Sequence, residues 1–170
     1  MQRRVFVTGR DADGRSMVVK EGPAGAVTRF VHTPGMVNEL LWSSDPATSG
    51  AGSTYVPAPG GSRLMVVQFP PDDIYASSAF DPEAAAREQR DRLPGLAELF
   101  EEDAPGFHQT PTIDYVVVLD GTPTLELDVG EPVELGVGDI VVQNYTRHAW
   151  RNNTSTTATI LVVLIGTTEA

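Results

Sequence analysis

The sequence predicts an all-β domain, with short strands closing a barrel or sandwich and one helical insertion around residues 81–100. Three observations predict it. The 170 residues include 16 glycines and 13 prolines, which recur between short apolar runs. In the C-terminal half, turn signals arrive roughly every eight to twelve residues, the spacing of barrels and sandwiches. A single segment changes to the period of a helix. With 41% hydrophobic residues, a chain of this length is expected to form one domain, 1–170, with a real core.

The N-terminal part, residues 1–70, reads as strands followed by a long loop. Residues 4–8 and 16–20 are β-type runs split by the turn Asp11-Ala12-Asp13-Gly14. Residues 27–31 and 37–42 follow, split by His32-Thr33-Pro34-Gly35. Residues 43–62 are rich in Ser, Gly, Ala and Pro, and a patternless stretch this long is a candidate lid over a site. Residues 63–69 form another strand, ended by Pro70-Pro71-Asp72-Asp73.

The helical insertion spans residues 78–102. Asp81 suits an N-cap, Pro82 the first helical position and Glu83 the positive end of the dipole. The helix runs over 84–93 to a stop at Pro94-Gly95, and 96–100 adds a further turn. From residue 106 to 166 the chain is β again. Strands are expected at 112–119, 124–127, 132–135, 140–143, 148–151 and 158–165, with Asp120-Gly121 a hairpin turn. The apolar run at 140–143 reads as buried.

Composition excludes several functions. A net charge of −11 repels phosphate backbones and anionic membranes, so neither nucleic acid nor membrane is an expected partner. There is no cysteine, which removes disulfides, thiolate nucleophiles and Cys-ligated metals. The N-terminus has positive charge but no apolar stretch after it, and no window has the length of a membrane span, so a cytoplasmic location is the expectation.

Two of the three histidines fall in the β-rich half. Side chains alternate along a strand, so His108, Thr110, Thr112 and Asp114 share one face, and Thr146, His148 and Trp150 share another. Inside a barrel, a polar face is either a hydrogen-bonded plug or a ligand pocket. Parity sends Tyr115 outward as packing and makes Arg147 and Arg151 surface charges. His32, beside a turn, is expected to be exposed.

The segment from Gly106 to Gly121 contains His108-x-Thr110, Asp114 four residues later and Gly121 seven beyond that. The segment Gly138–Asn152 opens Gly-Asp and ends His148-x-x-x-Asn152. These resemble the two motifs of the cupin superfamily, in its small single-domain, conserved-barrel form, with a degenerate first motif. Thr110 stands where that motif has a second His, and Asp114 where it has Glu. The resemblance implies a double-stranded β-helix (jelly-roll) barrel. It places His108, Asp114 and His148 at three of four metal-ligand positions, a set that suits divalent Fe, Zn, Mn or Ni. It also implies a homodimer formed by exchange of N-terminal strands such as 4–8, and for Asn152 a structural hydrogen bond.

Several chemistries stay open. Without metal, His148 acts as acid or base, oriented by Asp114 with His108 beside it, on a carbonyl-rich or polyketide-like small molecule. That is lyase, isomerase or cyclase chemistry, and family analogy suggests secondary metabolism. Thr110, Thr112, Thr146 and Trp150 are then the substrate-binding candidates. The alternatives are a 2-His-1-carboxylate Fe(II) dioxygenase, a non-catalytic small-molecule binder, and a core in which the two histidines merely satisfy each other.

Overall fold

Alternating side chains and turn-forming glycines lay down eleven strands in the structure, a computed structural model that describes residues 3–23, 25–45 and 54–168. β1 (Arg4–Arg10) and β2 (Ser16–Pro23) form a separate antiparallel hairpin. β3 (Val27–Arg29), β4 (Val37–Ser44), β5 (Ser62–Phe69), β6 (Thr112–Asp120), β9 (Ile140–Asn144) and β11 (Ala158–Gly166) make a six-stranded antiparallel sheet, ordered β3-β4-β5-β11-β6-β9. β7 (Thr124–Leu127), β8 (Val133–Glu134) and β10 (His148–Arg151) make a second sheet, ordered β10-β7-β8. The two sheets form the expected jelly-roll barrel, a double-stranded β-helix.

The inner face of the larger sheet carries Met65, Val67, Val116, Val118, Ile160 and Val162, all buried in the main apolar cluster. Register fixes which residues meet across it. Asn38 pairs with Val67, Val67 with Ile160, and Ile160 with Val118. Farther along the strands Arg63 pairs with Leu164, Leu164 with Asp114, and Asp114 with Gln143.

The insertion folds as expected. Helix α1 (Pro82–Arg92) starts at Asp81, whose carboxylate accepts the Ala84 N–H at 3.0 Å, and a 3-10 turn, Ala97–Leu99, follows. A second 3-10 turn at Asp72–Ala76, within what the sequence reads as a simple strand end, precedes it. Between them these segments cover the barrel mouth.

The run at 140–143 is a correction. It is an edge strand with alternating faces: Ile140 is 68% exposed and Val142 60%, while Gln143 points inward and is buried. The expectation failed because an apolar run on an edge strand with one open face need not be buried on both sides. Tyr115 also points outward but is exposed rather than packed. Together with Val142, its partner in register, it gives the sheet an apolar outer face.

The lid expectation at 43–62 falls partly outside the described residues, which omit 46–53. Of the remainder, Ser43 and Ser44 end β4, Ser62 starts β5, and Tyr55 is built into the core. None of the described residues in that range lines the central cavity. Among the described residues, no helix is long and apolar enough to cross a membrane.

Candidate functional site

The barrel encloses a cavity of about 840 Å³, within the usual size range of small-molecule sites. The walls are mainly apolar: Met65, Val67, Ile160, Val162 and Leu164 from the sheet, and Leu93 and Leu96 from the insertion. Phe69 and Trp150 stack with ring centroids 6.5 Å apart on one side. Tyr75 and Phe80, edge to face at 5.2 Å, stand at the mouth with α1.

His108 and His148 form the first polar group. Their backbones exchange two hydrogen bonds of 3.0 Å, an antiparallel bridge that extends the smaller sheet beyond β10. The bridge brings the imidazole centroids within 4.4 Å. Each ring is fixed from behind: His108 Nδ1 lies 3.1 Å from the Gly106 carbonyl, and His148 Nδ1 lies 2.8 Å from that of Thr146. A carbonyl only accepts, so each Nδ1 is the protonated nitrogen and each Nε2 is left as an acceptor. Phe100 packs on His108 at 4.7 Å. Burial holds the His108 pKa below the usual imidazole value, partly offset by the Gly106 carbonyl. Burial, then the neighbouring His108, push His148 down to about 4. Both rings are therefore neutral at pH 7.

Gly106 holds this geometry by a left-handed backbone, φ +87°, which L side chains rarely adopt. A Cβ there would also sit 2.6 Å from Arg151 Nη1.

Asp114 belongs to a second group on β6. The alternation read from the sequence is observed: Thr110, Thr112 and Asp114 are all buried on one face. The Thr110 and Thr112 hydroxyls are 2.7 Å apart, and Thr112 also hydrogen-bonds the Asp114 carboxylate. Each hydroxyl has one proton to donate, so the row runs from Thr110 to Thr112 to Asp114. Asp114 Oδ1 has no partner at all. Burial dominates, and it raises the Asp114 pKa to about 6.

Asp114 thus does not orient His148; its hydrogen bond comes from Thr112, and the backbone carbonyls do the orienting. Of the three residues expected to hold a metal, His108 and His148 stand together, while Asp114 belongs to the threonine row. With both Nδ1 atoms turned to backbone carbonyls, each imidazole keeps its Nε2 as the nitrogen that could ligate an ion. Yet among the described residues no three His, Asp or Glu side chains stand close enough to hold one ion. Thr110, at the fourth ligand position, is committed to Thr112. The residues present do not fit a protein-held Fe, Zn, Mn or Ni.

Of the binding candidates, Thr110 and Trp150 line the cavity. Thr112 is buried behind it and supports Asp114 instead. Thr146 is exposed, because it precedes β10 and strand alternation does not extend to it; it contributes only its carbonyl. Arg147 is no simple surface charge: it pairs with Glu101 and Asp128 and lies 4.0 Å over the Phe107 ring. Arg151 reaches the cavity mouth and pairs with Glu126 at 2.8 Å. His32 is exposed as expected. Asn152 is fully buried and donates to the carbonyls of Phe69 and Thr156.

Two residues were not singled out from the sequence. Gln143, 4% exposed, has its Nε2 without a partner; Asn38, 2% exposed, has Oδ1 in the same condition. Both line the cavity. The inward parity of Gln143 with Val141 was the available signal.

The family described as Cupin_2, Cupin domain, matches residues 98–164. Two curated proteins of Diaporthe leptostromiformis, Phomopsin biosynthesis cluster proteins C' and D, are each 53% identical over 49 residues, 29% of this chain and 26% of theirs. Oryzines biosynthesis cluster protein J of Aspergillus oryzae is 42% identical over 52 residues, 31% of this chain and 29% of its own. The matched stretch thus spans less than a third of these relatives' length. Among solved structures, the DMSP lyase DddQ from Ruegeria pomeroyi DSS-3 aligns at 20% identity with a TM-score of 0.39, covering 64% of this chain and 40% of that one.

Proposed function

We propose that this chain, which belongs to the cupin family through its Cupin_2 domain at residues 98–164, moves a proton on a carbonyl-bearing, largely apolar metabolite held inside the barrel. The reaction class is lyase, isomerase or cyclase. One observation carries this reading: a buried carboxyl, Asp114, faces an apolar cavity with one oxygen free and the other side anchored by Thr112.

A general base works best when its pKa lies near the working pH. Asp114, at about 6, is largely ionised at neutral pH yet basic enough to take a proton from carbon beside a carbonyl. The C–H electrons then form an enolate, and the new Asp114 O–H returns the proton to carbon or to a departing group. His148, at about 4, is the weaker base. Its Nε2 and that of His108 serve instead as acceptors for a substrate hydroxyl. The apolar walls and the helical cover exclude water, which would otherwise protonate the enolate without direction. Similarity to biosynthesis-cluster proteins supports a role in secondary metabolism.

The test is exchange of α-protons in D2O, followed by NMR with 2-tetralone and related aryl ketones. Acceleration over buffer should rise with pH through about 6 to a plateau. Asp114→Asn should lose about 10²–10⁴-fold. A wild-type protein that exchanges every ketone at the buffer rate, or an Asp114→Asn variant equal to wild type, rejects the reading.

A further inference from the structure

The cavity is polar at two places and apolar between them. At one, Asp114 Oδ1 and Gln143 Nε2 stand on paired positions of β6 and β9, both buried and both without a hydrogen-bond partner. At the other, Asn38 Oδ1 is buried and equally unpartnered. Register gives the span between them. Asn38 lies in the row that ends at Val118, four residues along β6 from Asp114. At about 3.3 Å per residue the two rows are roughly 13 Å apart along the strands. Met65, Val67, Ile160, Val162 and Leu164 line the cavity between them.

Each unpartnered buried group costs free energy unless something fills its hydrogen-bonding capacity. The three atoms therefore describe what fits. The Asp114–Gln143 end offers an acceptor beside a donor. An anionic ligand group would meet the charge of Asp114, and an ammonium would leave the Gln143 N–H without an acceptor. A neutral carbonyl carrying an adjacent N–H or O–H satisfies both. At the far end, Asn38 Oδ1 asks for a donor.

We infer that the cavity takes an elongated, uncharged molecule with an apolar middle, a carbonyl with a neighbouring N–H or O–H at one end, and a hydroxyl-type donor at the other. Gln143 and Asn38 select for the two ends. This rests on the reading of the barrel interior as the substrate site and adds the class of substrate. In the reaction proposed above, the C–H beside the carbonyl takes the place of that N–H or O–H before Asp114 Oδ1, Gln143 meets the carbonyl oxygen on which the enolate charge develops, and Asn38 holds the far end in place.

Calorimetric titration of the full chain with unreactive probes tests it. 10-Hydroxydecanamide carries all three groups; decanamide lacks the hydroxyl, decan-1-ol lacks the amide, and decanoate replaces the amide with a charge. On wild-type protein, removing either polar end should weaken binding about tenfold, the usual size of one well-placed hydrogen bond, and decanoate should bind more weakly than decanamide. Gln143→Met should weaken both amides about tenfold and leave decan-1-ol unchanged. Asn38→Leu should weaken only the hydroxyamide. Equal affinity of decan-1-ol and 10-hydroxydecanamide for wild type overturns the inference, as does failure of every probe to bind, or variants that lose all probes alike while still melting cooperatively. The wild-type series decides even if a variant does not fold. Because no probe reacts, a failure here is distinct from a failure of α-proton exchange.

Discussion

Asp114→Asn should make the protein more stable at neutral pH, and the gain should vanish in acid. The change keeps the side-chain shape and the oxygen that accepts from Thr112, while removing the buried charge. The wild-type carboxyl rises from 3.8 to about 6 on folding, a penalty of about 3 kcal/mol on the ionised form. The sign is the reverse of a salt-bridged carboxylate. Between those two values the folded state holds the proton more tightly than the unfolded chain, so this group's stabilisation is full below pH 3.8 and lost as pH rises through about 6. His148 has the opposite sense. Its fall from 6.5 to about 4 means the folded state resists the proton, so stability falls as pH drops through that window, again by about 3 kcal/mol. In the wild type the two slopes oppose each other between about pH 4 and 6. Asp114→Asn uncovers the His148 slope, and its stability should fall toward acid. His148→Asn keeps a donor for the Thr146 carbonyl and uncovers the Asp114 slope, so its stability should fall toward neutrality. Urea unfolding followed by circular dichroism from pH 4 to 8 reads both. At pH 7 the Asp114→Asn variant should gain up to about 3 kcal/mol, or about 9 °C in Tm for a chain of this size. If the differences between each variant and wild type are flat across that range, Asp114 and His148 are not buried titrating groups and the assignment of acid and base falls.

Three further outcomes are expected. Protein purified without chelators should contain no stoichiometric Fe, Zn, Mn or Ni by elemental analysis; one ion per chain that disappears in Asp114→Ala would reverse the reading of the ligand set. Gly106→Ala should cost about 1–2 kcal/mol in urea unfolding, because an L residue at φ +87° is strained. It should also shift the His108 ring resonances, since the Gly106 carbonyl is what holds that ring; an unchanged His108 spectrum would separate the two. A homodimer is expected by light scattering from the exposed Phe6, Met17, Val18 and Val19 of the β1–β2 hairpin and from Tyr115, Ile140 and Val142 on the outer sheet face. Val142→Glu should weaken it, and a wild-type monomer at tens of micromolar would remove the expectation.

Local signals carried most of the fold. Asp81-Pro82-Glu83 placed the helix start to the residue; Asp120-Gly121 marked the end of β6 within one residue, but the hairpin expected there does not form, because β7 crosses to the other sheet. Parity alone put Thr110, Thr112 and Asp114 on one inner face. What failed was non-local. Gln143 closes an apolar run, and only its pairing with Asp114 across the sheet makes it part of the site; nothing within residues 140–143 encodes that partner. Asn38 likewise lies in a row across four strands drawn from distant parts of the chain. Thr146 does not share the inner face of His148 and Trp150 because β10 starts at His148 and alternation does not reach back to it. Among the described residues the cover is built by the helical insertion, whose Phe80, Leu93, Leu96 and Phe100 line the cavity.

At the Asp114–Gln143 end of the larger sheet the polarity of the two faces is inverted. Along β9 the polar Gln143 faces in and the apolar Ile140 and Val142 face out; along β6 Asp114 faces in and Tyr115 out. An antiparallel sheet with one solvated face ordinarily does the opposite. Inward polar groups without partners are costly unless a ligand or water meets them, and an outward apolar face gains only when another surface covers it. The inner half of that argument is what Asp114, Gln143 and Asn38 specify for the ligand. The outer half is why the exposed face of β6 and β9, rather than the hairpin alone, is the place where Val142→Glu should act.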